Sequence, residues 1–358
     1  MSDRVILKAL ASRPKSLNLD SKGLVELPKA IGQLGECLRN LSARNNKLTC
    51  VPTELDLLKE LSQLNLGNNE FETVPLCVSH MSKLEKLHLY HNKISSINPV
   101  CIVGLHQLTT LNCNGNQLQQ LPSQIKFVTN LQVLSVSCNC LTGLPDEVTL
   151  LPRLRQLHCD DNEIVSLPED IGKCRLLVKL YVHKNCLETL PESIGDCLML
   201  EVCDVSSNQL SYFPRNLQLL NKLKEFHFEN NPLLPRLPVP SDQCFEVLCL
   251  RELATRVLVM CIRDGDARAS HVARQQEDIW SSVCHAGSCE LCGKPYINSW
   301  LECVHFVKVG QVLPLASDKK QSIPIRAPLC SYQCFNSEGH GYFGVVEYHT
   351  DSSYHSQL

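Results

Sequence analysis

The chain has 358 residues, of which 44% are hydrophobic and a fifth charged, with a formal net charge of -3. A balance this close to neutral offers no field for a nucleic-acid backbone, and no apolar run approaches the roughly 20 residues of a bilayer-spanning helix. The start, MSDRVILKAL, is charged at once and lacks the apolar core of a secretion signal, so a cytoplasmic location is expected, with the nucleus as the alternative.

Residues 1–12 read as an N-terminal cap, and from residue 13 the sequence becomes periodic. Asn46, Asn69, Asn92, Asn116, Asn139, Asn162, Asn185, Asn208 and Asn231 recur every 23 residues, with one step of 24. Around Asn92 the unit is Leu84, Leu87, Leu89, then Asn92 and Ile94, the L-x-x-L-x-L-x-x-N-x-L pattern of a leucine-rich repeat. Ten units fit between residues 13 and 234, the first irregular, with Lys22 where the Asn belongs. Leu87 and Leu89 alternate, so both point inward from a short strand. The Asn side chain turns into the solenoid, where backbone groups of stacked neighbours must satisfy its amide. Most units close on a pair such as Leu121-Pro122 or Leu144-Pro145. Proline has no N–H and fixes φ, so it turns the chain out of the strand. Only about ten residues per unit remain for the return, which predicts short helical or 3₁₀ turns on the convex side. The expected fold is α/β, a curved parallel sheet of about ten repeats.

Most of the 21 cysteines occupy aliphatic columns of this pattern. Cys113 and Cys159 stand where Leu89 stands, Cys203 where Leu87 stands, and Cys174 and Cys197 where Leu151 stands. Free cysteine packs as a small hydrophobe, and an odd count favours reduced thiols.

Strands stacked about 4.8 Å apart give ten units roughly 43 Å of concave sheet. Between the second and third Leu of each unit, one outward column carries His88, His158, Tyr181, Asp204 and His227. Two residues further along, a second carries Tyr90, Asp160, His183 and Glu229. Small polar residues fill the middle of both columns. Aromatic and histidine side chains present contact area with few rotatable bonds, the profile of interface anchors, so a partner protein is expected on these nine residues. The competing readings are a merely solvated sheet and a metal site, the latter disfavoured because a flat sheet does not converge its histidines.

A Pro-rich linker at 235–241 ends the repeats. Residues 242–263 then show helical spacing at Phe245, Leu248, Cys249, Leu253, Ala254, Val257, Leu258 and Cys261, expected as a helix covering the open last repeat. Residues 264–276 are polar and read as a mobile linker, 277–349 as a small zinc module and 350–358 as a tail. Within the module Cys289-Glu290-Leu291-Cys292-Gly293 is a C-x-x-C-G knuckle, whose tight turn aims N–H groups at thiolate sulfurs. Cys330 and Cys334 form a second pair, expected to share one helical face. Four thiolates complete a closed tetrahedral zinc site that is structural and leaves no open position for chemistry. Cys284, His285 and Cys303 are substitutes, with Cys303 reading as core.

Trp300-Leu301-Glu302-Cys303-Val304 and Leu329-Cys330-Ser331-Tyr332-Gln333-Cys334-Phe335, with the N-terminal decapeptide and ten short repeats, resemble short intracellular leucine-rich repeat proteins that carry a C-terminal cysteine module. The resemblance covers essentially the whole chain and implies a cytosolic, non-catalytic protein. A looser likeness to a ubiquitin-ligase substrate receptor gives the helix after the repeats a second reading. Leu250-x-x-x-Ala254-x-x-x-Leu258, or Phe245-x-x-x-Cys249-x-x-x-Leu253, resembles the box that holds elongin C, although each register lacks either the Leu or the Cys of the usual pattern.

The sequence contains no phosphate-binding glycine loop, no C-x₅-R signature and no nucleophile with an assigned base, so no enzyme is expected. The expected function is an intracellular interaction scaffold with its partner on the concave face. The alternative is a substrate receptor that recruits elongin C and a cullin, and a small GTPase is a further partner class that short repeats of this kind suggest.

Overall fold

The computed structural model describes residues 9–234, 250–297, 299–316, 321–335 and 342–350. The chain divides into two compact units. The first comprises Met1–Ser211, Asn216–Pro232 and Val309–Lys319, the second Tyr212–Arg215, Leu233–Lys308 and Lys320–Leu358.

In the first unit a helical turn at residues 9–12 precedes ten three-residue strands, from β1 (Ser16–Asn18) to β10 (Glu225–His227), which form one parallel sheet in sequence order. The register never slips: Leu17 pairs with Leu41, Leu41 with Leu64, and so on to Cys203 with Phe226. These central residues point into the core, none more than 5% exposed. Asn69 shows how the sheet is braced from within. Its Nδ2 donates to the Leu66 and Gly67 carbonyls of its own repeat at 3.0 and 3.2 Å and to the Ala43 carbonyl of the repeat before at 3.0 Å. Its Oδ1 accepts the Leu48 N–H at 3.1 Å. Each amide therefore serves the unit before its own. The first unit does without one, because its Lys22 and Leu24 N–H groups both reach Asn46 Oδ1 at 3.0 Å.

The turn that swings each Asn inward requires a left-handed residue just before it. Asn45, Asn68, His91, Cys138, Asp161, Lys184, Ser207 and Asn230 all adopt φ between 51° and 58° there. Gly115 supplies the same conformation at φ 63°, and a Cβ at that point would lie 2.4 Å from His91 Nδ1. The returns are 3₁₀ segments introduced by prolines such as Pro122 and Pro145, with one exception. The unit with the 24-residue step carries α1 (Pro99–Val103), capped by Asn98, whose Oδ1 accepts the Val100 N–H at 3.0 Å. An α-helix rises less per residue than a 3₁₀ helix, so the same span needs the additional residue. The column cysteines are packing residues. Burial pushes the Cys113 thiol up to about 12, and Cys174 and Cys197 lie with Sγ 3.6 and 3.5 Å from carbonyls of the preceding repeat.

The second unit contains α2 (Leu250–Arg263), α3 (Ala267–Arg274) and α4 (Glu277–Cys284), then a hairpin of β11 (Gly287–Ser288) and β12 (Pro295–Tyr296). Its antiparallel sheet has β13 (Ser299–Lys308) between β14 (Ser322–Leu329) and β15 (Tyr342–Thr350). The short α5 (Val309–Val312) falls with the first unit, and α6 (Tyr332–Phe335) follows β14. The expected Pro-rich linker and the start of the expected helix lie outside the described residues. The stretch expected to be a mobile linker instead holds α3. Asp266 caps it, its carboxylate accepting the Arg268 and Ala269 N–H groups at 2.8 and 3.3 Å. An eight-residue helix that buries little has almost no apolar period, so its polarity reads as a linker.

The burial of α2 also differs from its sequence pattern. Glu252, Thr255 and Val259 are buried, while Leu253, Val257 and Met260 are 46%, 59% and 40% exposed. The reason is electrostatic: Glu252 Oε1 accepts the Ile297 N–H at 3.1 Å and Arg256 Nε at 2.6 Å, and Arg256 Nη1 donates to the Cys330 carbonyl at 3.2 Å. A polar face goes inward because it satisfies backbone groups that would otherwise be stranded. Among the described residues no helix is long and apolar enough to cross a membrane.

Candidate interaction face and cysteine centre

On the sheet face, β7 (Gln156–His158), β8 (Lys179–Tyr181) and β9 (Val202–Asp204) set His158, Tyr181 and Asp204 side by side, with His227 next to them on β10. The His158 and Tyr181 rings stack, 4.8 Å between centroids and 16° between planes. Burial lowers the His158 pKa, and Lys179 works the same way against the opposing pull of Asp160. The imidazole therefore favours the neutral form that stacks without a charge to solvate. In the adjacent row His183 lies between two carboxylates, Nδ1 3.4 Å from Asp204 Oδ2 and Nε2 3.9 Å from Asp160 Oδ2. Ser137 Oγ donates to Asp160 Oδ1 and Ser206 Oγ to Asp204 Oδ1, both at 2.7 Å, so hydroxyls fix both carboxylates.

His88 and Tyr90, also expected to contact a partner, lie on the same sheet nearer its N-terminal end. His88 ends β4 (Lys86–His88), three strands from β7, and meets Tyr90 edge-on at 6.4 Å. Burial lowers the His88 pKa as well, with Lys86 adding to it. The Tyr90 ring leans over Gly67, where a Cβ would come 2.4 Å from Tyr90 Cζ. Its hydroxyl reaches Arg44, whose Nε is 2.8 Å from Asp20 Oδ2. This network closes on itself. His227 Nε2 stands 4.0 Å from Glu225 Oε2, and Glu229 is exposed at the end of the row. Ser137, Ser206, Arg44 and Gly67 fall in the same outward columns but are not among the nine expected contact residues.

In the second unit Cys289, Cys292, Cys330 and Cys334 bring their sulfurs within 4.8 Å of one another. The knuckle is closed by the Gly293 N–H on the Cys289 carbonyl at 3.0 Å, with Gly293 at φ 72°. β14 then delivers Cys330 to it: the Glu290 N–H bonds the Pro328 carbonyl at 3.0 Å, two residues before Cys330. The second pair is not on one helix face, because Cys330 follows the strand and only Cys334 lies in α6. Cys330 Sγ is 3.6 Å from both Cys292 Sγ and Cys334 Sγ. That is far beyond a disulfide bond of about 2.05 Å and close to the edge of about 3.8 Å that a tetrahedron of sulfurs around zinc requires. The Cys330 thiol and the Cys292, Cys330 and Leu291 N–H groups hold Cys289 well below the usual thiol range, and Cys330, facing Cys289 and buried, is pushed up. Burial and its sulfur neighbours push Cys334 up as well, so Cys289 alone of the three is held toward the thiolate. Cys303 is fully buried in the core with Leu301 and Leu329, as expected, while Cys284 is exposed and His285 Nδ1 meets the Ser281 carbonyl at 2.7 Å. In α2, Leu250 is the first residue, Ala254 is exposed and Leu258 half-buried.

The profile of a family described as "Leucine rich repeat" matches residues 75–118. A Xenopus laevis protein named Leucine-rich repeat-containing protein 69 is 51% identical over 346 residues, which cover 97% of this chain and 99% of that protein. The chain belongs to the leucine-rich repeat-containing protein 69 family. A Mus musculus protein of the same name is 34% identical over 135 residues, 38% of each chain. Among solved structures, the functional domain of InlJ from Listeria monocytogenes is 26% identical with a TM-score of 0.54, covering 61% of this chain and 45% of that one. YopM of Yersinia pestis, 24% identical with a TM-score of 0.53 over 64% of this chain and 65% of its own, shares the fold alone. In this member of the leucine-rich repeat-containing protein 69 family, the repeats supply an aromatic and acidic sheet face and the second unit a four-thiol cluster.

Proposed function

We propose that this chain is a non-enzymatic cytoplasmic scaffold. It holds a partner protein on its concave sheet, and a structural zinc ion is held by Cys289, Cys292, Cys330 and Cys334. The observation that carries the reading is the His158/Tyr181 stack beside carboxylates already fixed by Ser137 and Ser206. A face whose side chains are held before contact loses little conformational freedom on binding, and flat rings give large contact area for few torsions. Membership of a repeat family whose architecture offers one long open sheet supports a protein rather than a small molecule as the occupant. Zinc is favoured by the sulfur spacing and by four thiols in one donor set, and with four protein ligands it serves folding.

The test pairs affinity purification of the full chain with the double variant His158→Ala, Tyr181→Ala. Partners captured by the unaltered chain should be lost from the variant by at least tenfold. Its thermal midpoint should fall by only a few degrees, since an aromatic pair contributes about 0.5–1.5 kcal/mol. Undiminished capture refutes the concave reading.

A second reading rests on α2, whose apolar residues Leu253, Val257 and Met260 face out while its polar face is buried. Such a stripe suits a substrate receptor that docks elongin C through the Leu250, Ala254, Leu258 helix. Elongin C should then co-purify with the chain and be lost on Val257→Asp. Purification free of elongin C and cullin removes this reading.

A further inference from the structure

We propose that what sits on the C-terminal half of the concave face is a basic segment of the partner, an extended stretch rich in arginine or lysine. The inference rests on the concave-face reading above and adds the chemistry of the occupant. From β7 to β10 the outward positions carry four carboxylates, Asp160, Asp204, Glu225 and Glu229, against the single ammonium of Lys179. The N-terminal half is arranged differently, for there Asp20 has a permanent counter-ion in Arg44 at 2.8 Å. Asp160 and Asp204 have hydroxyls and the His183 imidazole, and imidazole, unlike guanidinium, is not a permanent cation. Among the described outward positions the excess of negative charge is therefore open to a cation from a partner.

The rings define which cation fits. Tyr181 has His158 on one side and Asp204 in register on the other. A ring beside a carboxylate is the combination that takes a guanidinium or ammonium, through attraction to the ring face and a charge-assisted hydrogen bond to the oxygen. A neutral or acidic segment gains neither and meets the carboxylates at a cost.

The full chain is titrated into a fluorescent peptide alternating arginine and serine, and into one alternating glutamate and serine, with anisotropy as the readout. The arginine peptide should bind and the glutamate peptide should not. Asp160→Asn with Asp204→Asn, which keeps the serine contacts, should weaken binding about tenfold, whereas Lys179→Gln should tighten it about two- to threefold. Opposite signs from neighbouring substitutions cannot come from a general loss of folding. No binding of the arginine peptide, equal binding of the two, or changes of the same sign overturns the proposal. If the His158→Ala, Tyr181→Ala variant loses its partners but the Asp-to-Asn variant keeps them, the basic segment falls while the concave reading stands. If neither loses them, both fall.

Discussion

Asn69 and Asn139 lie three repeats apart and make the same four bonds, two carbonyls at home, one carbonyl and one N–H in the unit before. Among the described residues of the second unit there is no such recurrence. There a hairpin, the end of β14 and a turn of helix meet once, at four sulfurs, beside a small core of Leu301, Cys303, Leu329 and Phe335. The repeats spread their stability over many equivalent nearest-neighbour contacts, so damage to one is partly borne by the rest. With the proposed zinc bound, the cysteine-bearing unit should concentrate its stability at one point. Local loss should be tolerated in the first and should undo the second.

The largest expected effect tests that contrast directly. The full chain should carry about one zinc ion by elemental analysis, and stripping it with a chelator should remove on the order of 10 kcal/mol of folding free energy from the second unit. By hydrogen exchange the second unit should open while the sheet from β1 to β10 keeps its protection. Cys330→Ser should do the same without a chelator. Cys303→Ser, buried but outside the cluster, should leave the zinc content unchanged. A repeat unit that opens together with the second, or zinc well below one ion per chain, breaks the comparison.

Within the repeats the expected losses are smaller and graded. Asn139→Ala strands the Leu118 N–H, which the amide oxygen accepts at 3.0 Å, and takes one of two donors from the Cys113, Val136 and Ser137 carbonyls, which keep Asn116 Nδ2, Asn162 Nδ2 and the Gly115 N–H, and should cost about 1–3 kcal/mol in denaturant unfolding. Asn231, at the last rung and only part-buried, makes the same kinds of bond where water can replace some of them, so Asn231→Ala should cost less. Equal losses at the two rungs would mean that burial does not set the value of the ladder.

How much of this could be read in the sequence follows from the range of each interaction. The Asn interval and the Leu alternation repeat in every unit, so the strands, their register and the amide ladder were legible. The four clustered cysteines were legible because no aliphatic column explains them. The lean of the Tyr90 ring was not legible, because it depends on Gly67 one strand away, an empty space that no pattern in its own repeat records. The face of α2 was misread because Glu252 and Arg256 look like solvent-facing charges until Ile297 and Cys330 are brought beside them. Contacts that join distant, unrepeated segments leave no period behind.

The smallest expected effect separates the units by pH. Burial lowers the pKa of His88 and His158, so below the ordinary imidazole value of 6.5 the unfolded chain binds protons that the folded repeats still exclude. The stability they contribute is fully present above that value and is lost as pH falls from it through the folded pKa. The urea midpoint of the repeats should therefore decline between about pH 7.5 and pH 5.5, and His88→Gln with His158→Gln should flatten the decline. The second unit should respond to acid through the thiolates of the proposed zinc site, whose protonation competes with the metal, and added zinc should offset that loss. The histidine substitutions should leave the second unit's profile untouched, and added zinc should leave the repeats' slope untouched. If zinc flattened both, the two units would be sharing one source of stability, and the contrast between distributed and concentrated bracing would be wrong.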